Sequence, residues 1–268
     1  MKFLYPDKLE FLVLTGYISK KAHPKYNDLF IYNYTKKTHY EQNWNYITIQ
    51  ARGLVLDKSY NIIAKPFNKF FYLDSPETQI QLEKLAKIKD INLKKYYITK
   101  KYDGCLIIVF KYNNEIIVTT RGQFDTNYAK FAYDFIYHLG IDKYIEKNKT
   151  YLFELIGPIF PHIVKYGEND LKLLAINEIK DNEIIEINLY DKKIRKELEA
   201  KKFNLVEYYE KLTIKEAKEI LEATEPENFE GFVIHFPYFN NLRIKLKSNK
   251  FKEEEKNLVK YIKYEQFS

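Results

Sequence analysis

The spacing of the glycines restricts the nucleotide-binding folds that this sequence can adopt. The 268 residues hold only eight glycines, at positions 16, 53, 104, 122, 140, 157, 167 and 231. No two stand five residues apart, which excludes a G-x-x-x-x-G-K-S/T phosphate loop, and no two stand two apart, which excludes G-x-G-x-x-G. The patterns G-x-S-x-G and H-E-x-x-H do not occur either. Any nucleotide would therefore have to bind without the common glycine-rich loops.

Short apolar runs of strand length dominate the middle of the sequence. Cys105–Tyr112 and Glu115–Thr120 flank Asn113-Asn114, and this arrangement predicts a β-hairpin. The other predicted strands are Leu29–Tyr34, Gly53–Leu56, Ile62–Lys65, Tyr96–Lys100, Tyr151–Ile156, Leu171–Asn177, Glu183–Leu189, Gly231–Phe236 and Leu242–Lys247.

Fewer segments have helical signals. Ser75-Pro76-Glu77 places a capping serine before a proline, and Asn127–Leu139 is amphipathic. Asp191–Lys202 opens on an acidic cap, Thr213–Glu216 is a capping box, and residues 250–265 predict a charged helix. Consecutive strands with inserted helices predict an α+β fold of mainly antiparallel sheets flanked by helices.

The composition favours a globular protein with a polyanionic partner. Hydrophobic residues make up 46% and charged residues 30% of the chain, and 44 − 37 gives a net charge of +7. The single cysteine, Cys105, excludes an internal disulfide and a multi-cysteine zinc site, and it fits a reducing, cytoplasmic compartment. The first residues do not form a signal peptide, and no run approaches the roughly 18 apolar residues of a membrane span. We therefore expect no membrane association.

The central candidate for chemistry is Lys101-Tyr102-Asp103-Gly104, between two predicted strands. A lysine attacks a phosphorus or carbonyl centre only when it is neutral, so its pKa must fall from about 10.4. Nearby cations or a metal would lower that pKa. Four further cations that could converge are Lys69, Arg121, Lys245 and Lys247. Lys245 and Lys247 stand two apart, so both would face the same side of a strand, where a phosphate between them would relieve their repulsion.

Each of these features also has a plainer interpretation. A K-x-D-G sequence can be an ordinary turn, and K-x-K alone is more often a solvated edge strand than a site. Glu230-Gly231 alone is the start of a strand, and the alternation around Glu154 could turn that side chain to water.

The order of the motifs favours the functional interpretation. Six short motifs follow one another along the chain. They are R-G at 52–53, K-Y-D-G at 101–104, R-G at 121–122, F-E-L-I-G-P at 153–158, E-G-F-V-I at 230–234 and K-L-K at 245–247. This set resembles the covalent nucleotidyltransferase superfamily of nucleic-acid ligases and mRNA capping enzymes.

Longer segments resemble the ATP-dependent RNA ligases of the phage RNA ligase 1 type. These segments are I-Y-N-Y at 31–34, A-R-G-L-V-L-D at 51–57, K-P-F-N-K-F-F-Y-L at 65–73, residues 153–166, L-K-L-L-A-I at 171–176 and R-I-K-L-K-S-N-K-F at 243–251. The resemblance spans about residues 29–251 and implies a nucleotidyltransferase (ATP-grasp-like) fold, with an adenylation domain over 1–250 and a short helical tail over 251–268.

The resemblance also implies a role for each matched residue. Lys101 would be the nucleophile that forms lysyl-AMP, and Glu154 and Glu230 would contact the ribose and a Mg²⁺ or Mn²⁺ ion. Lys245 and Lys247 would bind the triphosphate of ATP and support catalysis. The remaining nucleotide or phosphate contacts would be Tyr32, Arg52, Lys69, Phe71, Asp103, Gly104 and Arg121.

The implied activity is the joining of RNA 5′-phosphate and 3′-hydroxyl ends, with single-stranded RNA as the partner and no obligate protein partner. Three departures from the family pattern bear on this expectation. Cys105 stands where serine is usual, Phe251 stands where tyrosine is usual, and no large helical domain follows, which weakens the case for tRNA as substrate. The alternatives are a DNA ligase, a capping guanylyltransferase or a catalytically inactive nucleic-acid-binding relative. The first two usually carry an appended OB domain, for which the sequence after Lys247 has no room.

Overall fold

The computed structural model describes residues 1–258 with their side chains and continues the last helix as backbone to Glu265. A helical tail is predicted over 251–268. Its side chains from residue 259 onward lie outside the described part of the chain. The chain divides into two compact units. The first consists of Met1–Lys69, Cys105–Leu155 and Leu171–Leu205, and the second of Phe70–Gly104, Ile156–Asp170 and the chain from Val206 onward.

The first unit contains two sheets. The four-stranded sheet has the order β1-β2-β3-β4, with strands β1 Ile18–Ala22, β2 Leu29–Tyr34, β3 Arg52–Asp57 and β4 Ile62–Ala64. Three helices belong to this part of the chain, α1 Pro6–Leu14, α2 Lys36–Tyr40 and α3 Tyr46–Gln50. Leu9 of α1 and Leu54 of β3 are fully buried in one hydrophobic core with Ile18 of β1.

The second sheet of this unit is built around the predicted hairpin. Strand β7 Cys105–Tyr112 pairs with β8 Glu115–Thr120 on one side and with β9 Lys149–Ile156 on the other. Asn113 and Asn114 have φ values of +47° and +63°, as a two-residue hairpin turn requires. The sheet continues through β10 Asp170–Lys180 to β11 Glu183–Glu186, β12 Asn204–Leu205 pairs with β10, and the helices are α5 Asn127–Leu139 and α6 Lys192–Ala200.

The second unit has one five-stranded sheet in the order β13-β6-β14-β15-β5. Its strands are β5 Phe71–Tyr72, β6 Tyr97–Lys101, β13 Tyr208–Tyr209, β14 Gly231–Phe236 and β15 Leu242–Leu246, and its helices are α4 Pro76–Ala86, α7 Ile214–Ala223 and α8 Asn249–Glu265. Ile98, Phe232, Ile234 and Ile244 form the centre of its hydrophobic core. Antiparallel pairing of β14 with both β6 and β15 brings three motif-bearing strands side by side.

The predicted α+β class with mainly antiparallel sheets is confirmed. The capping prediction at Ser75 is confirmed by its hydroxyl, which accepts a hydrogen bond from the Thr78 amide, and Thr213 and Glu216 form the predicted capping box. Helix α1 and strand β1 were not predicted from the sequence. Strand β15 ends at Leu246, so Lys247 lies just beyond the strand that was expected to contain it.

None of the helices in the part of the chain described here is both long and apolar enough to cross a bilayer.

Gly231 is required by the close packing of β14 against β15. Its φ is +156°, and a Cβ atom there would lie 2.2 Å from the backbone carbonyl oxygen of Leu246. We expect Gly231→Ala to lower the free energy of unfolding by about 3 kcal/mol, because the strands must separate to admit the methyl group. Gly167→Ala is the matched control, since no heavy atom lies within 4 Å of its added Cβ. Urea unfolding of both variants checks this, and equal losses of stability would contradict it.

Candidate active site

Lys101 and Glu230 form an ion pair in the second unit. Lys101 is the last residue of β6, and its Cα partner across the sheet is Gly231, so Glu230 lies next to it. The Lys101 ammonium donates to both carboxylate oxygens of Glu230, at 2.7 and 2.8 Å. The Glu230 side chain is only 4% exposed. The predicted nucleophile is therefore fixed by a buried carboxylate from the predicted E-G motif.

Lys247 binds the same carboxylate from the other side. Its ammonium lies 2.7 Å from Oε1 of Glu230, and its own side chain is 4% exposed. Burial alone would raise the pKa of Glu230, but the ammonium groups of Lys101 and Lys247 hold it below its ordinary value. Burial would lower the pKa of Lys247, and the Glu230 carboxylate instead raises it. Two ammonium groups thus share one buried carboxylate.

Lys245 has different surroundings from Lys247. Its ammonium lies 5.2 Å from the ring centroid of Phe70 and 5.4 Å from that of Tyr72. Strand β15 lies between β14 and β5, so K-x-K is not an edge strand, and the plainer interpretation of this motif is wrong. Phe71, the predicted pocket residue, belongs to β5 and is paired with Ile244.

Asp103 organises the loop beside the nucleophile. Its Oδ2 accepts hydrogen bonds from the backbone amides of Ile163 and Val164, at 2.7 and 3.0 Å. Its own amide donates to the Tyr166 hydroxyl at 2.9 Å. Gly104 follows in a bend before β7. Asp103 therefore connects the K-Y-D-G motif to the segment after F-E-L-I-G-P within the same unit.

His162 is a member of this loop that sequence reasoning did not select. Its side chain is 8% exposed, and Nδ1 lies 3.9 Å from Oδ1 of Asp103. Burial holds the pKa of His162 below its ordinary value, so the ring is neutral at pH 7. Within the described residues, its Nε2 has no hydrogen-bond partner. A buried ring nitrogen of this kind suits a contact with a bound ligand.

The first unit gathers a second group of cations around Tyr34. Nη1 of Arg121 donates to the Tyr34 hydroxyl at 3.0 Å, and the guanidinium carbon lies 5.1 Å from the ring centroid. The Lys69 ammonium lies 5.6 Å from the Tyr34 ring and 5.3 Å from the ring of Trp44. Burial lowers the pKa of Lys69, and Arg52 and Arg121 add to that effect. Three cations predicted to contact phosphate are therefore neighbours.

Arg52 connects this group to Glu154 and to Lys65. Burial and the charge of Arg121 lower the pKa of Arg52 to about 10, while Glu154 acts in the opposite direction. Lys65 is buried, and burial together with Arg52 lowers its pKa to about 7. Burial, and next the Glu154 carboxylate, raise the pKa of Cys105 to about 12, so this thiol stays protonated. Sequence reasoning missed Lys65, although its place in K-P-F-N-K beside Lys69 was a usable signal.

Tyr32 does not occupy the position predicted for it. Its ring is 1% exposed, and its hydroxyl donates to Glu10 at 3.0 Å. The pairing of β2 with β3 shifts between Tyr32 and Asn33, opposite Gly53, whose φ is +86°. Such a bulge changes the local twist and the direction of side chains. The neighbouring Tyr34, rather than Tyr32, contacts the cations.

The two carboxylates predicted to hold a metal differ in their fit to one. Across residues 1–258, no three carboxylate, imidazole or thiol groups are clustered as a metal site. Mg²⁺ commonly uses one or two carboxylates together with waters and substrate phosphates, so a single carboxylate suffices. Both oxygens of Glu230 already accept from lysine, so this carboxylate fits a metal poorly. Glu154, a partly exposed residue of β9, fits that role better.

Comparison with known structures identifies the class of fold. The chain is similar to an archaeal ATP-dependent RNA ligase, with a TM-score of 0.61 and 14% identity over 93% of this chain and 63% of that one. It is also similar to a candidate ATP-dependent DNA ligase from Aquifex aeolicus, with a TM-score of 0.59 and 17% identity over 92% and 63% of the two chains. The fold is that of the ligase nucleotidyltransferases.

The sequence then gives the family. The sequence pattern of the RNA ligase family matches residues 50–256, and the chain belongs to this family. It is 26% identical over 197 residues to a candidate RNA ligase of Thermovibrio ammonificans, covering 69% of this chain and 46% of that protein. It is 32% identical over 103 residues to a candidate bifunctional polynucleotide kinase/RNA ligase of Autographa californica nuclear polyhedrosis virus, covering 36% of this chain and 14% of that protein. The chain thus spans less than half the length of these two relatives.

The shared carboxylate gives this unit a pH-dependent stability. Because its folded pKa lies below 4.5, Glu230 stabilises the folded chain above that pH and loses this contribution as the pH falls through the folded value. We expect Glu230→Gln to cost about 3 kcal/mol at pH 7, since Lys101 and Lys247 lose the buried carboxylate that they share. The difference from wild type should shrink as the pH falls below 4.5, because the unfolded chain then binds a proton at Glu230 that the folded chain binds only at a lower pH.

Urea unfolding at pH 7 and pH 3.5 measures this effect. Glu227→Gln is the control, because its ion pair with Lys165 is exposed and contributes little. A pH-independent difference for Glu230→Gln would contradict the assigned interaction.

Proposed function

We propose that the chain is an ATP-dependent RNA ligase that joins RNA 5′-phosphate and 3′-hydroxyl ends through a covalent lysyl-AMP. The observation that carries this proposal is the Lys101–Glu230–Lys247 cluster, in which the predicted nucleophile and a lysine of the K-x-K motif share one buried carboxylate. Two ammonium groups held side by side in this way are suitable ligands for a polyphosphate. Membership of the RNA ligase family supports the same activity.

In the first step, Nζ of Lys101 attacks the α-phosphorus of ATP. A nitrogen–phosphorus bond forms, the bond from the α-phosphorus to the bridging oxygen breaks, and pyrophosphate leaves. Lys101 must lose a proton to solvent before it attacks, and Glu230, at 2.7 Å, fixes the position of its nitrogen. Lys247 and Lys245 neutralise charge that develops on the leaving pyrophosphate.

In the second step, a 5′-phosphate oxygen of the RNA attacks the same phosphorus, and the bond to Lys101 breaks. The 3′-hydroxyl oxygen of the other RNA end then attacks the 5′-phosphorus, and AMP leaves. These steps need little acid–base chemistry, so catalysis rests on positioning and on charge neutralisation.

The cations of the first unit have a proposed role in binding phosphates of ATP or RNA. The residues in this role are Arg52, Lys69 and Arg121. Tyr34 positions Arg121 by accepting its hydrogen bond and Lys69 by a cation–π contact. Glu154 is proposed to contact the ribose or to hold Mg²⁺ or Mn²⁺, and a bound ion there would neutralise phosphate charge. Phe71, Asp103 and Gly104 shape the nucleotide pocket in the same proposal.

Single-stranded RNA ends are the proposed substrate, and no obligate protein partner is invoked. Residues 1–250 are proposed to act as one adenylation domain, in a reducing, cytoplasmic compartment.

Covalent labelling at Lys101 tests the proposed function directly. Wild-type protein incubated with radiolabelled ATP and Mg²⁺ should give a labelled band, and competition with GTP should leave most of the ATP signal. Lys101→Ala should abolish labelling and joining, because no other group is assigned to attack the α-phosphorus. Joining of a pre-adenylated RNA should survive in part, since that step does not use the lysine as a nucleophile. Persistent labelling of Lys101→Ala would remove this residue from its role, and preference for GTP would favour capping chemistry.

Lys245 and Lys247 should differ from ordinary surface lysines in the adenylation step. Removing one charge-assisted contact with the triphosphate should slow single-turnover adenylation by about 10²- to 10³-fold. Lys250→Ala is the control, because Lys250 is exposed and pairs with Glu225 at the surface. We expect its effect to be small and weakened by salt. Equal, small and salt-sensitive effects of Lys245→Ala, Lys247→Ala and Lys250→Ala would contradict a specific role for K-x-K.

A further inference from the structure

Helix α8 places a carboxylate on Lys247. Oε2 and Oε1 of Glu255 lie 3.2 and 3.3 Å from the Lys247 ammonium, which also binds Glu230 at 2.7 Å. Glu230 is buried, whereas the Glu255 side chain is 47% exposed. Lys247 therefore joins one carboxylate inside the unit to another at its surface.

The start of α8 fixes this contact. The Ser248 hydroxyl accepts a hydrogen bond from the Phe251 amide at 3.1 Å, which caps the helix directly after Lys247. Phe251 is 1% exposed, and its ring centroid lies 4.8 Å from the Lys247 ammonium. Glu255 follows Phe251 by four residues, so both side chains lie on the same face of the helix.

The Lys247 ammonium has three N–H groups, and two carboxylates, those of Glu230 and Glu255, already contact it. A phosphate oxygen that binds Lys247 at full strength must compete with one of them. Glu230 is held by two lysines in a buried position, and its departure would break the ion pair of Lys101 as well as that of Lys247. Glu255 is half-exposed and can return to water at little cost. Of the two carboxylates, Glu255 is therefore the one that can leave Lys247 at the lower cost.

We propose that Glu255 occupies the polyphosphate position on Lys247 and is displaced when ATP or pyrophosphate binds. This inference rests on the proposed function, since it takes Lys247 as a triphosphate ligand. Glu255 is a positioning residue that acts through Lys247. It keeps the ammonium directed and neutralised before ATP binds, and it returns to Lys247 after pyrophosphate has left.

The return of Glu255 has a consequence for the reverse reaction. In that reaction an oxygen of pyrophosphate attacks the α-phosphorus of lysyl-AMP, the bond to Nζ of Lys101 breaks, and ATP forms again. Pyrophosphate must first recover its contact with Lys247. A carboxylate in that position competes with it and so protects the lysyl-AMP until RNA arrives.

Glu255→Gln tests the proposal, with Glu254→Gln as the matched control. The control removes the same charge from the adjacent exposed position of the same helix. The measurements are the Kd of inorganic pyrophosphate by calorimetry, the KM for ATP in adenylation, and the pyrophosphate concentration that half-reverses lysyl-AMP. All three should fall about two- to fivefold in Glu255→Gln, in the range expected for loss of a half-exposed ion pair. Joining of pre-adenylated RNA, which involves no triphosphate, should keep its rate.

Opposite outcomes would overturn the proposal. If Glu255→Gln weakens pyrophosphate binding or raises the KM for ATP, the carboxylate holds Lys247 ready for phosphate and does not compete with it. If Glu255→Gln and Glu254→Gln have equal effects, only the general charge of the helix matters. Failure of the ligase function would look different. The wild type would form no labelled intermediate, while pyrophosphate would still bind more tightly to Glu255→Gln.

Discussion

The buried carboxylate of Glu230 is the interaction on which the second unit depends. Removing a carboxylate and two ammonium groups from water is costly, and it is offset only where the contacts are short and shared. Here the contacts measure 2.7 to 2.8 Å, and the pairing of β14 with β6 and β15 supplies them. The same register demands a residue without Cβ directly after the carboxylate, which is Gly231. The carboxylate that binds both lysines and the glycine that the strand packing requires are therefore adjacent residues, Glu230 and Gly231.

In the first unit, cation–π contacts with Tyr34 position the cations. Tyr34 contacts Arg121 through its hydroxyl and offers its ring to both Arg121 and Lys69, while Trp44 packs edge-on against Tyr34 at 5.1 Å. An aromatic face attracts a cation without cancelling its charge, so the group keeps its attraction for phosphate. In the second unit Lys101 and Lys247 bind a buried carboxylate, whereas Arg121 and Lys69 of the first unit lie over the ring of Tyr34.

The sequence predicted local structure well where turn and cap chemistry is decisive. The hairpin at Asn113-Asn114 and the caps at Ser75 and Thr213 follow from a few neighbouring residues, and the structure contains them. The grouping of Lys101, Glu230 and Lys247 was inferred from the order of motifs, because no local rule connects residues so distant in sequence. The structure has these three in direct contact.

Other parts of the site depend on geometry that the sequence does not encode locally. Tyr32 and Tyr34 stand two apart in β2, and alternation alone does not reveal that Tyr32 is buried against Glu10 while Tyr34 contacts Arg121. The contact of Glu255 depends on where β15 ends and on how Ser248 starts the next helix. His162 could not be selected from the sequence, because the feature that distinguishes it, a buried ring nitrogen, exists only in the folded chain.

The two units alternate along the sequence, and this alternation fixes the order in which their strands are synthesised. The last segment of the first unit ends at Leu205, and the segment that begins at Val206 supplies Glu230 and Lys247 to the second. A ribosome that has released residues 1–205 has therefore provided every strand of the first unit and the strand bearing Lys101, but not the counter-ion of that lysine. Lys101 and Glu230 are 129 residues apart, so their contact closes a long loop and forms late. Lys101 acquires its contact with Glu230 only after the strands that follow residue 205 have been synthesised, and a chain interrupted before them contains Lys101 without that carboxylate.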